Sequence, residues 1–319
     1  MGADGASAPA DIVRRVHDKA FAAHFASASG YLPKGLAALT RVYAPGELAD
    51  PGSWLAGLKA QLAAWPPWTE GRFTLKPRQG SSGRGRVGGI AGALDEAKLR
   101  ASLPRFAERG GAILEPWLQR TRDLSVMLQI ASPEMGSEGG IRLLGTAEQI
   151  LAPSGVYLGH RGEIDSRGRV FSGCADEEPM REAAAALAGE ARAAGYWGPC
   201  GVDGFAFQRP GTSAEEGASP PELRPLVEFN ARFTVGIVVV GLIRRALERV
   251  KPEIGLEPGG RAGFLFGLEP PPGWRSWQSL AEAAGPGTRH LPLDQDPNGP
   301  ALLFDSDART LGRLATENR

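Results

Sequence analysis

The chain has 319 residues, 42% of them hydrophobic and 23% charged, with 36 Lys plus Arg set against 36 Asp plus Glu. That length buries a sizeable core, as one large domain or two to three subdomains. The zero net charge argues against a mainly electrostatic partnership with nucleic acid or a membrane surface.

The 44 glycines and 26 prolines predict many loops. The cysteines, Cys174 and Cys200, stand in no metal-ligand spacing and point to a reducing compartment. Met1 to Pro9 carries no apolar h-region, and the apolar run from Phe233 to Ile243 is too short to span a bilayer. The expectation is a soluble, cytoplasmic protein.

The first ten residues read as disordered. From Asp11, apolar residues at helical spacing (Ile12, Val16, Ala20, Phe25) predict a helix that Gly30 stops, with Lys19 inside it. A second helix is expected from Pro51 to Trp65. Residues 72–77 alternate as a strand and run into Arg78-Gln79-Gly80-Ser81-Ser82-Gly83-Arg84-Gly85-Arg86-Val87-Gly88-Gly89. Glycines let backbone N–H groups converge on an anion, and the serine hydroxyls and basic side chains add donors. The letters Gly83-x-Gly85-x-x-Gly88 match a dinucleotide fingerprint, but Arg86-Val87-Gly88-Gly89 is a poor helix start. A Walker A Gly-Lys-Ser/Thr is absent, as are the His-Arg-Asp and Asp-Phe-Gly marks of protein kinases. What remains is a strand, Gly-rich loop, strand hairpin with Lys76 at its entrance; the plainer reading is a flexible surface loop.

Residues 95–109 are helical in composition despite Pro104, and residues 112–118 form a buried strand. Strands at 122–130, 141–149 and 156–158 follow, with linkers too short for helical crossovers, so this sheet is antiparallel in type. An alanine-rich helix covers 177–194, and Val202 to Phe207 is a strand carrying Asp203. Arg209 to Glu222 reads as a mobile hairpin loop. It returns the chain to Arg224-Pro225-Leu226-Val227-Glu228-Phe229-Asn230-Ala231-Arg232, so that Asp203 and Glu228 can face each other across adjacent strands. In this last stretch Glu228, Asn230 and Arg232 share one face. A carboxylate beside a carboxamide suits a hard cation such as Mg²⁺, and an arginine suits a phosphate or an oxyanion. The plainer reading is a strand end with a surface salt bridge. A helix is expected over 236–250, then strands at 262–268 and 301–304 around a helix at 276–284. The four histidines show no paired geometry.

Taken in order, five of these segments resemble the ATP-grasp superfamily of carboxylate–amine or carboxylate–thiol ligases, over residues 11 to 250. The resemblance implies an α+β fold, with two α+β subdomains of mainly antiparallel sheet gripping a nucleotide. Residues 11–115 would be the subdomain with the phosphate loop, residues 116–250 the one with the metal site, and 251–319 an extension without an assigned role. Lys19, in Asp18-Lys19, and Lys76, in Leu75-Lys76-Pro77, resemble the lysines that reach the nucleotide phosphates, with Gly80, Ser81, Ser82, Gly83 and Gly85 as the covering loop. Glu115-Pro116-Trp117-Leu118 resembles the hinge, where the backbone at Glu115 and Trp117 would bond adenine and Leu118 would pack on the ring. Asp123 falls at the ribose-binding acid. Asp203, Glu228 and Asn230 match the ligands of Mg²⁺ (or Mn²⁺), and Arg232 matches the catalytic arginine of carboxylase-type members.

The implied activity is ATP-dependent activation of a small-molecule carboxylate as an acylphosphate, followed by attack of an amine. Alternatives on the same fold are a non-catalytic or partner-dependent ATP-binding module and a small-molecule kinase. Three departures stand out. Only about a dozen residues precede the Asp-Lys helix, where the family carries an α/β domain, so the chain is expected to be a fragment, a minimal member, or one completed by a partner chain. Pro116 removes a backbone donor from the hinge, and residues 209–222 lengthen a hairpin that is short in the family.

Overall fold

The computed structural model describes residues 8–80, 85–132, 140–152, 155–209 and 220–315. The readings placed on the extreme N-terminus and on the body of the 209–222 loop therefore lie largely outside the described residues. The apolar stripe that begins at Asp11 is two helices, α1 (Ala10–His17) and α2 (Lys19–Ala28). The break is at Asp18, whose backbone is extended and whose carboxylate caps α2 by accepting from the Ala20 N–H at 2.8 Å. Then come α3 (Leu36–Leu39), β1 (Arg41–Tyr43) and α4 (Pro51–Ala63), the last capped by Asp50 with proline in its first turn. The hairpin strands are β2 (Arg72–Pro77) and β3 (Val87–Ile90), followed by α5 (Glu96–Glu108) and β4 (Ala112–Pro116).

The chain continues through β5 (Gln119–Ile130), β6 (Ile141–Leu151), β7 (Tyr157–Asp165) and β8 (Val170–Phe171) to α6 (Glu177–Ala193). After it come β9 (Gly198–Gln208), β10 (Glu222–Asn230) and α7 (Val235–Val250), which Thr234 caps. The last elements are β11 (Arg261–Gly267), α8 (Trp277–Ala284), β12 (Thr288–Pro292), β13 (Ala301–Asp305) and α9 (Thr310–Leu314).

The described strands form a four-stranded sheet, ordered β1-β4-β2-β3, and a nine-stranded sheet, ordered β10-β9-β5-β6-β8-β7-β11-β13-β12. Pairing is antiparallel between β2 and β3, β2 and β4, β5 and β6, and β6 and β7, while β6 meets β8 in parallel. The class is α+β with antiparallel-dominated sheets. The chain divides into two compact units. The first joins Ala10–Arg122 to Gly204–Phe229; the second is built mainly from Asp123–Asp203 and Asn230–Arg319. The division falls inside β5, β9 and β10.

In the first unit, Phe73 and Leu75 of β2 and Leu114 of β4 pack with Leu55, Leu58 and Leu62 of α4 and Leu99, Leu103 and Phe106 of α5. Each such side chain contributes roughly 1.5–3 kcal/mol on full burial. In the second, Val239, Val240, Ile243 and Leu247 of α7 cover Met127, Ile164, Phe264 and Phe304. Leu265 and Leu303 point the other way, onto Trp277, Leu280 and Leu311. Burial on both faces is why β11 and β13 are continuous apolar runs instead of alternating ones. Among the described residues, no helix is long and apolar enough to cross a membrane.

Candidate functional site

In the first unit, Lys19 is the first residue of α2 and is 7% exposed. Its position follows from the cap beside it. Asp18 accepts from Arg78 at 2.7 Å (Nη2) and 3.1 Å (Nε), and the Lys19 N–H donates to the Arg78 carbonyl at 3.0 Å. The start of α2 is thereby fastened to the end of β2. The Lys19 Nζ donates to the Gly80 carbonyl at 2.7 Å and lies 3.2 Å from Glu228 Oε1. That oxygen is buried and receives no hydrogen bond of good geometry, so its charge is met through space only.

Lys76, on β2, lies 2.9 Å from Glu115 Oε1, while Arg224 of β10 donates to Glu115 Oε2 at 2.8 Å. Burial works against the Glu115 charge, but Arg224 and Lys76 outweigh it and hold the carboxyl down at about 2. Burial, together with the positive charges of Arg224 and Lys19, pulls the Lys76 ammonium below the usual lysine range, and Glu115 resists this. The two ammonium groups thus lie in one electrostatic field.

Gly80 and Gly85 border the hairpin loop with φ of 151° and 82°, values that suit glycine. The Arg105 guanidinium occupies the place a Gly85 side chain would take, and an Arg109 guanidinium nitrogen lies 3.4 Å from where a Gly80 Cβ would stand. Ser81, Ser82 and Gly83 lie outside the described residues. Arg86 stacks over the Trp117 ring at 4.5 Å, and Arg120 lies over Phe205 at 4.3 Å. The region is rich in cations, which suits a polyanion.

In the second unit a hydrogen-bonded chain runs through Asp203. Gln149 donates to its Oδ1 at 2.9 Å and the Asn230 amide to its Oδ2 at 2.8 Å, while Arg232 donates to Asn230 Oδ1 at 3.1 Å. Asp123 stands directly opposite Gln149 across β5 and β6. His160, opposite Gln149 on β7, is buried, with its Nδ1 2.5 Å from the Tyr157 hydroxyl. Burial drops its pKa to about 3 and keeps it neutral. Among the described residues no group of three or more His, Cys, Asp or Glu gathers as a metal centre. Taken one unit at a time, Asp203 and Asn230 here, and Glu228 in the first unit, carry oxygen donors of the kind a hard divalent cation takes, and Glu228 Oε1 is a buried acceptor without a hydrogen bond.

No family model matches the chain, and no curated protein matches it. Solved structures do. N5-carboxyaminoimidazole ribonucleotide synthetase from Thermus thermophilus superposes with a TM-score of 0.52 at 17% identity, over 98% of this chain and 76% of that one. N5-carboxyaminoimidazole synthase from Aspergillus clavatus, solved with ADP and 5-aminoimidazole ribonucleotide, gives 0.51 at 15% identity, over 97% and 74%. The fold is ATP-grasp. Biotin carboxylase from Campylobacter jejuni matches at a TM-score of 0.49 and 16% identity, and the chain, 93% covered, spans only 64% of it. At these identities the likeness speaks for the ATP-grasp fold alone.

Of the residues that an ATP-grasp reading singles out, the structure brings Lys19 to Gly80 and Glu228, Lys76 to Glu115, and Asp203 to Asn230 and Arg232. The hinge is less open than expected. Pro116 has no N–H, the Trp117 N–H donates to the Arg72 carbonyl at 2.9 Å, and Leu118 is buried in the core. Glu115, expected to act through its backbone, also commits its carboxylate to two cations. Sequence reasoning missed Arg224, Arg78 and Gln149. Arg224 lies four residues before Glu228 on the same strand face, so the alternation carried its signal; Gln149 needed the register of strands distant in sequence.

Proposed function

We propose that the chain is an ATP- and Mg²⁺-dependent ligase, ADP-forming, that activates a small-molecule carboxylate as an acylphosphate for attack by an amine. The observation that carries this reading is the pair of lysines at the entrance of the glycine-bordered β2–β3 hairpin, Lys19 buried and Lys76 largely so, each facing a carboxylate. Buried ammonium groups cost free energy unless something anionic repays it. Here each has a carboxylate partner, and the surrounding arginines leave the cluster short of negative charge. A triphosphate supplies what is missing.

In this reading Lys19, Lys76, the backbone from Gly80 to Gly85 and the Ser81 and Ser82 hydroxyls receive the phosphates. The Glu115 backbone is left for the base, since the Trp117 N–H is taken by the Arg72 carbonyl and Leu118 is buried in the core, and Asp123 holds the ribose. Asp203, Glu228 and Asn230 would hold Mg²⁺ (or Mn²⁺), which when bound supplies neutralisation of phosphate charge. Phosphoryl transfer needs positioning and charge stabilisation more than covalent help. Arg232, tethered to Asn230 Oδ1, is placed to steady the oxyanion formed when the amine attacks. The free thiols of Cys174 and Cys200 are compatible with the cytoplasm. The carboxylate-holding domain that such ligases use would come from further chain or from a partner.

The test is a mass-read screen of carboxylate and amine pairs with MgATP, following ADP and a condensed product. ADP release that depends on both substrates supports the ligase. A phosphorylated alcohol without a new amide would replace it with a kinase. Tight nucleotide binding without turnover against any pair would leave a binding module.

A further inference from the structure

Lys76, Glu115 and Arg224 form a triad in the first unit, with Glu115 and Arg224 buried and Lys76 partly so, and nothing in the phosphate-lysine reading requires the third member. Glu115 is 4% exposed and Arg224 2% exposed. The carboxylate uses one oxygen for each cation, Oε1 for Lys76 at 2.9 Å and Oε2 for Arg224 at 2.8 Å. Three different strands contribute, β2, β4 and β10, so each side chain is fixed by its own backbone ladder. The Arg224 guanidinium also lies over the Phe205 ring at 5.7 Å.

We propose that Arg224 is a positioning residue for nucleotide binding: it clamps Glu115, and Glu115 in turn aims the Lys76 ammonium that meets the phosphates. This rests on the ATP-dependent reading given above. A lysine on a flexible stem would otherwise sample many rotamers, and burial works against its charge. The other charges facing the triad are Lys19 on α2, itself paired with Glu228 of β10, and Arg86 beside β3, which acts on Arg120 and Glu115. Glu115 is the group that supports the Lys76 charge, whereas Arg224 and Lys19 oppose it. Arg224 therefore acts on Lys76 only through the carboxylate it holds.

The experiment is calorimetric binding of MgADP from pH 6 to pH 9 by the whole chain and by Glu115→Gln, Glu115→Asp, Arg224→Met and the double variant Glu115→Gln/Arg224→Met, with circular dichroism to confirm folding. For Glu115→Gln, the loss relative to the wild type should grow from pH 6 to pH 9, because burial and the facing cations lower the Lys76 ammonium and the carboxylate that resists them is gone. Glu115→Asp should bind more weakly by the same factor at every pH, since the charge is kept and the reach is not. The double variant should recover part of the loss, because the cation opposing Lys76 is gone. Should Glu115→Gln not fold, Arg224→Met carries the test: weaker binding, restored by Arg224→Lys, is the expected result. A Glu115→Gln loss that is constant with pH, or an Arg224→Met protein that binds like the wild type, overturns the positioning role. A wild type that does not bind MgADP overturns the underlying reading instead.

Discussion

At Lys19 two demands meet in one side chain: the ammonium satisfies the Gly80 carbonyl and faces the Glu228 carboxylate, which the proposed function assigns to a cation. Replacing it by methionine removes a charge-assisted hydrogen bond worth about 1.5–3 kcal/mol, so Lys19→Met should weaken MgADP binding roughly tenfold or more in calorimetry. Unchanged affinity would remove Lys19 from the phosphate site. Gly111 is a second residue where a single atom decides. Its φ is 110°, and an added Cβ would fall on the Tyr43 carbonyl oxygen. Gly111→Ala should lower stability by about 3 kcal/mol or more, through strain and a displaced β1 edge, read as an earlier denaturant midpoint.

The element that places Lys19 is α2, and its cap is the lever. Asp18→Ala removes an N-cap, about 1 kcal/mol, and also the partner of Arg78. The expected outcome is a lower unfolding temperature together with weaker nucleotide binding, because the first turn is released from β2. A stability loss without an affinity loss would show that the cap does not position Lys19. On β7 the lever is pH. His160 titrates near 3 when folded, against an ordinary value of 6.5, so the unfolded chain binds more protons across that window. The stability tied to neutral His160 is therefore complete above pH 6.5 and is lost as pH falls toward 3. Denaturant titrations at pH 7, 6 and 5 should show this slope in the wild type and a shallower one in His160→Gln. Glu115 adds to acid sensitivity lower down: held at about 2 against 4.5, its contribution is present above pH 4.5 and is lost as pH falls through about 2.

For the whole molecule, elements with a strong period could be read from the sequence, including β2, β5, α6, β10 and α7. Much of the site rode on them: Lys76, Asp203, Glu228 and Asn230 stand on strands whose alternation was visible. Other features were hidden for identifiable reasons. β1 has three residues and no period. The expected strand at 156–158 is only the start of β7, because Gly159 and Gly162 interrupt the pattern. Those glycines are there because a Cβ would strike the Phe266 and Phe171 carbonyl oxygens of neighbouring strands. The break at Asp18 was masked by an apolar stripe that continues across it. The Glu115–Arg224 clamp joins residues 109 apart in sequence, a distance at which no local pattern operates.

The central claim is that these two lysines and the oxygen donors serve ATP-driven bond formation. Calorimetric titration of the whole chain with MgATP, repeated with Glu228→Gln and Lys76→Met, tests it most directly. The account predicts saturable, Mg²⁺-dependent binding in the wild type, weakened about tenfold or more by either substitution while the folded signal in circular dichroism is retained. Absence of binding in the wild type, or equal binding in both variants, would contradict it.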